Sequence, residues 1–222
     1  MLYIKPTGKN LLRAYSLLRA HFGFLNWWPA STDDEMLIGA ILTQNTSWKN
    51  VEKAIAELRR RRMLSIKSLS RANARSIERA IRSSGFYRQK AQRLKLFART
   101  IAAYGSFKKF VKQSADARQS LLGIKGIGKE TADSMLLYAG SMPFFVVDAY
   151  TKRVMRRLFG VDMSDYDMLQ KFIARRIPED VGLYKDFHAQ FVELAKNFCR
   201  KEPLCGACPL RNICNFKKHL YA

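Results

Sequence analysis

Four cysteines, Cys199, Cys205, Cys208 and Cys214, lie within the last 24 residues of a 222-residue chain that has no other cysteine. Their spacing is C-x5-C-x2-C-x5-C. Four thiolates so close in sequence can hold a zinc ion or a [4Fe–4S] cluster. Structural zinc sites use two close pairs joined by a longer loop. Here only Cys205 and Cys208 form a close pair, and the other two are evenly offset, a pattern that favours the cubane cluster. Clustered thiols and no disulfide framework also point to a reducing compartment, with the cysteines as ligands.

A second segment, Leu122-Gly123-Ile124-Lys125-Gly126-Ile127-Gly128-Lys129, has the composition of a tight turn between two helices. Gly126 and Gly128 permit positive φ and close backbone approach. Amides exposed at a helix N-terminus suit a phosphate oxygen, with Lys125 and Lys129 as cationic neighbours. An ordinary turn could look the same, so the weight comes from its setting in a basic, helical chain.

Asp148, in Val146-Val147-Asp148-Ala149-Tyr150, stands just before an amphipathic stretch ending at Phe159. An N-cap carboxylate is the bland reading. A helix N-terminus also keeps a carboxylate ionised, which a base or cation-stabiliser requires. All three tryptophans, Trp27, Trp28 and Trp48, fall in the first quarter of the chain. They suit a buried core, or a stacking pocket for an extruded base, whose π faces also attract cations.

The elements that must position these residues are helical. Leu11, Leu12, Tyr15, Leu18 and Phe22 make one helical stripe, and Thr32 to Glu35 read as a capping box. Ser47 can cap a helix carrying Val51, Ile55 and Leu58. Further helices are expected near 74–83, 87–104, 115–122, 129–139, 148–159, 165–176 and 183–198. Gly85, Gly105, Gly140 and Gly160 stand where helix ends need a left-handed residue. The fold class is all-α. Lys and Arg number 40 against 18 Asp and Glu, a formal net charge of +22. Such a charge calls for a polyanionic partner, nucleic acid before an anionic membrane surface. Between Arg59 and Arg99 there are 14 basic residues and one acid, Glu78. They alternate with apolar positions, so they form a folded basic face and not a tail. No segment is long and apolar enough to span a membrane, and the N-terminus lacks signal-peptide shape.

Taken together, Gly126-Ile127-Gly128, Asp148 twenty residues after Gly128 and the cysteine loop resemble the helix-hairpin-helix DNA glycosylase superfamily, in its endonuclease III-like form. The resemblance covers roughly residues 30–216. It implies two helical lobes around a cleft, residues 31–138 with the hairpin and residues 1–30 plus 139–222 with the [4Fe–4S] loop (199–214). Asp148 is then the catalytic residue. Ile41-Leu42-Thr43-Gln44 looks like the family's segment with an intercalating Gln, and Ser84-Gly85-Phe86-Tyr87 like its second wedge loop. Gln44 and Phe86 would fill the gap left by a flipped nucleotide. The first cysteine gap is five residues where the family usually has six. The family's bifunctional members carry a nucleophilic Lys two positions after the second hairpin glycine, and here that position is Glu130. Trp27-Trp28-Pro29 and Gly128-Lys129-Glu130 are similar to the 3-methyladenine DNA glycosylase III branch, in which paired tryptophans and an aromatic at the place of Trp48 line the base pocket.

The resemblance therefore implies a monofunctional glycosylase, excising alkylated purines of the 3-methyladenine and 7-methylguanine type by base flipping. The partner would be double-stranded DNA containing damaged bases, the cofactor a [4Fe–4S] cluster, the state monomeric and the location cytoplasmic, near the nucleoid. The alternatives are a glycosylase/lyase for oxidised pyrimidines, a mismatch-adenine glycosylase, and a non-enzymatic iron–sulfur DNA-binding module.

Overall fold

Residues 4–25 and 28–216 are described by a computed structural model, and among them every regular element is helical. The helices are α1 (Gly8–Phe22), α2 (Asp33–Leu42), α3 (Trp48–Arg60), α4 (Ile66–Arg71), α5 (Ala74–Ala80), α6 (Tyr87–Ala103), α7 (Phe107–Gln113), α8 (Ala117–Leu122), α9 (Lys129–Tyr138), α10 (Ala149–Phe159), α11 (Tyr166–Ala174) and α12 (Val181–Asn197). Short 3-10 turns occupy Arg82–Ser84 and Cys205–Ala207. The periodicity does not announce α4 and α7, because six or seven residues are too few to repeat an apolar stripe. Both depend on caps: Ser65 accepts from the Ser68 amide in a reciprocal capping box, and Ser106 from the Lys109 amide.

The chain divides into two compact units, Trp28–Met142 and Met1–Trp27 with Pro143–Ala222. In the first, α2 is the central helix. Its residues from Glu35 to Leu42 are all buried, so it shows no amphipathic stripe. It packs against α3, α6 and α9. Around it lie Val51, Leu58, Leu94, Phe97, Met135 and Leu136, each fully buried. In the second unit, α12 packs on α1 and α10. Phe187 is the hub there, with ring centroids 5.1 Å from Tyr15 and 4.7 Å from Phe191.

Several local expectations are refined. Thr32 accepts from the Glu35 amide, but the Glu35 carboxylate reaches back to the Ser31 amide and to Arg59 instead of closing the box on Thr32. Ser47 occupies the N-cap of α3 without a side-chain cap bond. Gly140 is not the left-handed residue after α9; Ser141 is, at φ 52°. Gly140 is required for a different reason: a Cβ there would lie 2.7 Å from the Leu136 carbonyl oxygen.

The basic stretch from Arg59 to Arg99 is only partly a solvated face. Arg62, Lys67, Arg71, Arg75, Arg79, Arg82, Arg88 and Arg99 are exposed. Arg59 pairs with Glu35, Arg60 and Arg61 with Glu57, and Lys90 is interior at 1 % exposure.

Candidate active site

The hairpin lies between α8 and α9. Ile124 N donates to Leu121 O and Ile127 N to Ile124 O, both at 3.0 Å, which closes the turn. Gly126 has φ 91°, and a Cβ on it would strike Arg93 Nε at 2.5 Å. Gly128 departs from expectation. Its φ is −91°, extended backbone open to any residue, and what it contributes is open space beside the N-terminus of α9, which has no side-chain cap. That suits approach by an anion. Behind the turn, Arg118 grips Asp133 with Nε to Oδ1 at 2.7 Å and the second guanidinium nitrogen to Oδ2 at 3.1 Å. Asp133 is fully buried, so this bidentate pair staples α8 to α9. Lys125 and Glu130 are exposed and Lys129 is half-buried.

The two expected wedge residues sit differently. Phe86 projects, 65 % exposed, from a left-handed backbone at φ 45° that opens α6. A bulky residue there is strained, and such strain collects at working sites. Gln44 is docked. Its amide nitrogen donates to Gly126 O at 3.0 Å and to Thr131 Oγ1 at 3.1 Å, and its carbonyl accepts from Arg93 at 2.6 Å. It thus ties the end of α2 to the hairpin.

Trp27 lies outside the described residues. Trp28 is half-buried, its ring 6.1 Å from Trp48 in an edge-to-face arrangement and 5.2 Å from Tyr138. Tyr138 was not singled out from the sequence, because one Tyr at a helix end gives no periodic signal. The indole lies against α2 at Gly39, where an added Cβ would stand 3.6 Å from Trp28 Nε1, an ordinary van der Waals contact.

In the other unit the chain enters Asp148 through an extended segment. Gln170 donates to Phe145 O at 2.8 Å, and Val147 N donates to Tyr166 Oη at 3.4 Å. Asp148 is the N-cap of α10: its Oδ1 accepts from Thr151 N at 2.6 Å. Its Oδ2 stands 3.6 Å from His188 Nε2 on α12. The carboxyl is 14 % exposed. Burial by itself would raise its pKa, but His188 and the Thr151 amide more than offset this and hold it below the ordinary value. The cap and the ionised carboxylate are one arrangement. Near His188 on the same helix, Asp186 accepts from Tyr15 Oη at 2.7 Å and Leu25 N at 3.0 Å, while Gln190 donates to Gly23 O at 2.7 Å. These bonds fix the segment just before Trp27.

Cys199, Cys205, Cys208 and Cys214 all line one pocket, with Arg157, Phe198, Pro203, Arg211 and Phe216. No disulfide joins them. Among the described residues no three His, Cys, Asp or Glu side chains are gathered as for a metal ion; the cysteines ring a void. Arg157 donates to Cys199 Sγ at 3.5 Å, and Arg153 to Cys199 O at 2.7 Å. Burial, with the other three cysteines adding to it, pushes the Cys208 thiol up to about 11. Thiols that oppose one another's ionisation in an apolar void suit a cationic iron–sulfur core, which would offset that repulsion. Among the described residues no helix is long and apolar enough to cross a membrane.

Residues 38–179 match the HhH-GPD superfamily base excision DNA repair protein family. A Methanocaldococcus jannaschii protein named as a DNA repair glycosylase is 43% identical over 209 residues, 92% of this chain and 95% of its own length. Endonuclease III of Thermotoga maritima is 29% identical over 185 residues, 82% of each chain. Among solved structures, H. pylori 3-methyladenine DNA glycosylase (MagIII) bound to 1,N6-ethenoadenine matches with a TM-score of 0.77 and 31% identity, covering 86% of this chain and 97% of that one.

Proposed function

We propose that this chain, which belongs to the HhH-GPD superfamily of base excision DNA repair proteins and is a DNA glycosylase, removes alkylated purines of the 3-methyladenine and 7-methylguanine type from double-stranded DNA. It uses water and leaves the strand intact. The observation that carries this reading is the aromatic group of Trp28, Trp48 and Tyr138. Neutral π faces attract a cationic base far more than a neutral one. The likeness to the H. pylori 3-methyladenine enzyme supports the same substrate class.

The steps follow from the residues. The α8–α9 hairpin holds a phosphate through the backbone amides at the start of α9, with Lys125 and Lys129 beside it. Phe86 enters the duplex where the nucleotide leaves. The cationic base stacks among the aromatic rings. As the N-glycosidic bond breaks, its electron pair goes to the departing base, which leaves neutral and needs little acid assistance. Positive charge builds on the sugar, and the ionised Asp148 stabilises it or takes the proton of the attacking water. Glu130 stands where a lyase needs an amine, so no Schiff base forms. Cys199, Cys205, Cys208 and Cys214 would hold a [4Fe–4S] cluster, which cross-links the C-terminal loop.

The test is base release from methylated duplex DNA. The native protein should free 3-methyladenine or 7-methylguanine, and Asp148→Asn should be at least about 100-fold slower, the scale of a positioned catalytic group. The likeness to endonuclease III favours a second reading, a glycosylase/lyase for oxidised pyrimidines. Cleavage of thymine glycol duplexes with no release from methylated DNA would establish that reading instead.

A further inference from the structure

Lys90 is fully interior, yet nothing in the proposed chemistry uses it. Its ammonium makes two short bonds, to Leu42 O at 2.8 Å and to Ser84 O at 2.7 Å. These carbonyls lie 42 residues apart in sequence, and each stands two residues before an expected wedge residue. Leu42 is the last residue of α2, before Gln44. Ser84 ends the 3-10 turn, before Phe86. Both wedge segments carry left-handed backbone: Asn45 at φ 52°, which asparagine tolerates, and Phe86 at φ 45°, which strains a bulky residue. Helix α6 organises the whole group. Phe86 opens it, and Lys90 and Arg93 follow four and seven residues on, on one face. Arg93 then reaches the Gln44 carbonyl.

We propose that Lys90 is the positioning residue for duplex opening: one buried lysine holds both wedge turns in a fixed mutual register, so that Phe86 is presented rigidly to the DNA. The position needs a long stem through an apolar layer and a head with several donors, which lysine supplies. A carbonyl at a helix end left without its partner would be free to re-form the turn or to admit water. Hence the loss of Lys90 should be felt first at the two turns, not at the hairpin grip or at Asp148.

The inference rests on the reading that Phe86 enters the duplex, and its test separates the two. The probe is a duplex holding a tetrahydrofuran abasic analogue beside 2-aminopurine, whose fluorescence rises when its neighbour stack is broken. This avoids any assumption about the lesion. In the native protein, binding should give a fluorescence rise. Lys90→Gln should slow that rise at least tenfold, while affinity for undamaged duplex changes by less than twofold. In a Phe86→Ala background, Lys90→Gln should change the remaining signal by less than twofold. A merely structural lysine would instead lower both backgrounds alike. If Lys90→Gln leaves the native rate unchanged, or slows both backgrounds equally, the proposal is wrong. If Phe86→Ala itself leaves the rise intact, the wedge reading fails and Lys90 falls with it. Should Lys90→Gln not fold, Lys90→Arg keeps a cation with several donors, and it must retain the rise to within threefold. Its loss in a folded Lys90→Arg protein of unchanged duplex affinity would equally overturn the assignment.

Discussion

Asp148 and His188 face each other across 3.6 Å, carboxylate Oδ2 to imidazole Nε2, while the other carboxylate oxygen caps α10. The ordinary value of the Asp148 carboxyl is 3.8 and the fold holds it lower. A carboxyl depressed in this way contributes stability above its ordinary value and loses it only as pH falls through the lower, folded one. Asp148 is therefore ionised at every pH at which DNA duplexes are handled. Excision of 3-methyladenine, followed by single-turnover kinetics from about pH 8 down to about pH 5, should show no acid limb assignable to Asp148. An acid limb in that range would show that Asp148 is not held ionised.

Asp148→Asn isolates the charge. Asparagine keeps an oxygen acceptor for the Thr151 amide, so the α10 cap persists and thermal stability should fall by no more than about 1 kcal/mol. Binding to an abasic-site duplex should change little while excision collapses. Equal losses in binding and excision would mean that Asp148 is a structural cap alone.

On the proposed reading, Glu130 sets the reaction type. Borohydride should not trap the protein on its substrate, and strand cleavage should require alkali. Efficient trapping, abolished by replacing Lys129 or Lys125, would overturn this. In the converse experiment, Glu130→Lys should acquire weak trapping.

Trp28→Ala and Trp48→Ala should reduce excision of cationic bases about tenfold or more while abasic-site affinity stays within about twofold, since removing a stacking face costs roughly 1–3 kcal/mol. Tyr138→Ala should behave like Trp28→Ala. Parallel loss of excision and of thermal stability would return these rings to the core.

Anaerobically purified protein should be yellow-brown with about four irons per chain. Zinc in stoichiometric amount, with no iron, would contradict the cluster. Cys205→Ser should lower solubility and DNA affinity together, because ligand loss releases the loop.

The helical class, the hairpin and the cap role of Asp148 are legible in sequence because each depends on local chemistry: apolar period, glycine and an acid before a helix. What escapes is interior and long-range. His188 faces Asp148 from 40 positions away, and Lys90 joins Leu42 O, 48 positions away, to Ser84 O, six away. Tyr138 reaches Trp28 only through the packing of α9 on α2. Gln44 was expected at the DNA, and its resemblance-based role says nothing of the three bonds that dock it. Gly140 shows the limit of composition rules: glycine was expected there for φ, and it is there for space.

The Arg118–Asp133 pair has a bearing on how duplex binding is measured. Asp133 has no contact with solvent and Arg118 little, so dissolved ions hardly screen their attraction. Surface cations such as Arg71 or Arg88 have no such shelter. Raising salt from about 50 to about 200 mM should cost on the order of 10³ in duplex affinity if six or more phosphates are held. The α8–α9 hairpin should meanwhile keep its shape. Affinity and hairpin integrity are thus separate quantities in a salt titration, and amide exchange along α8 and α9 should stay flat while the duplex is released.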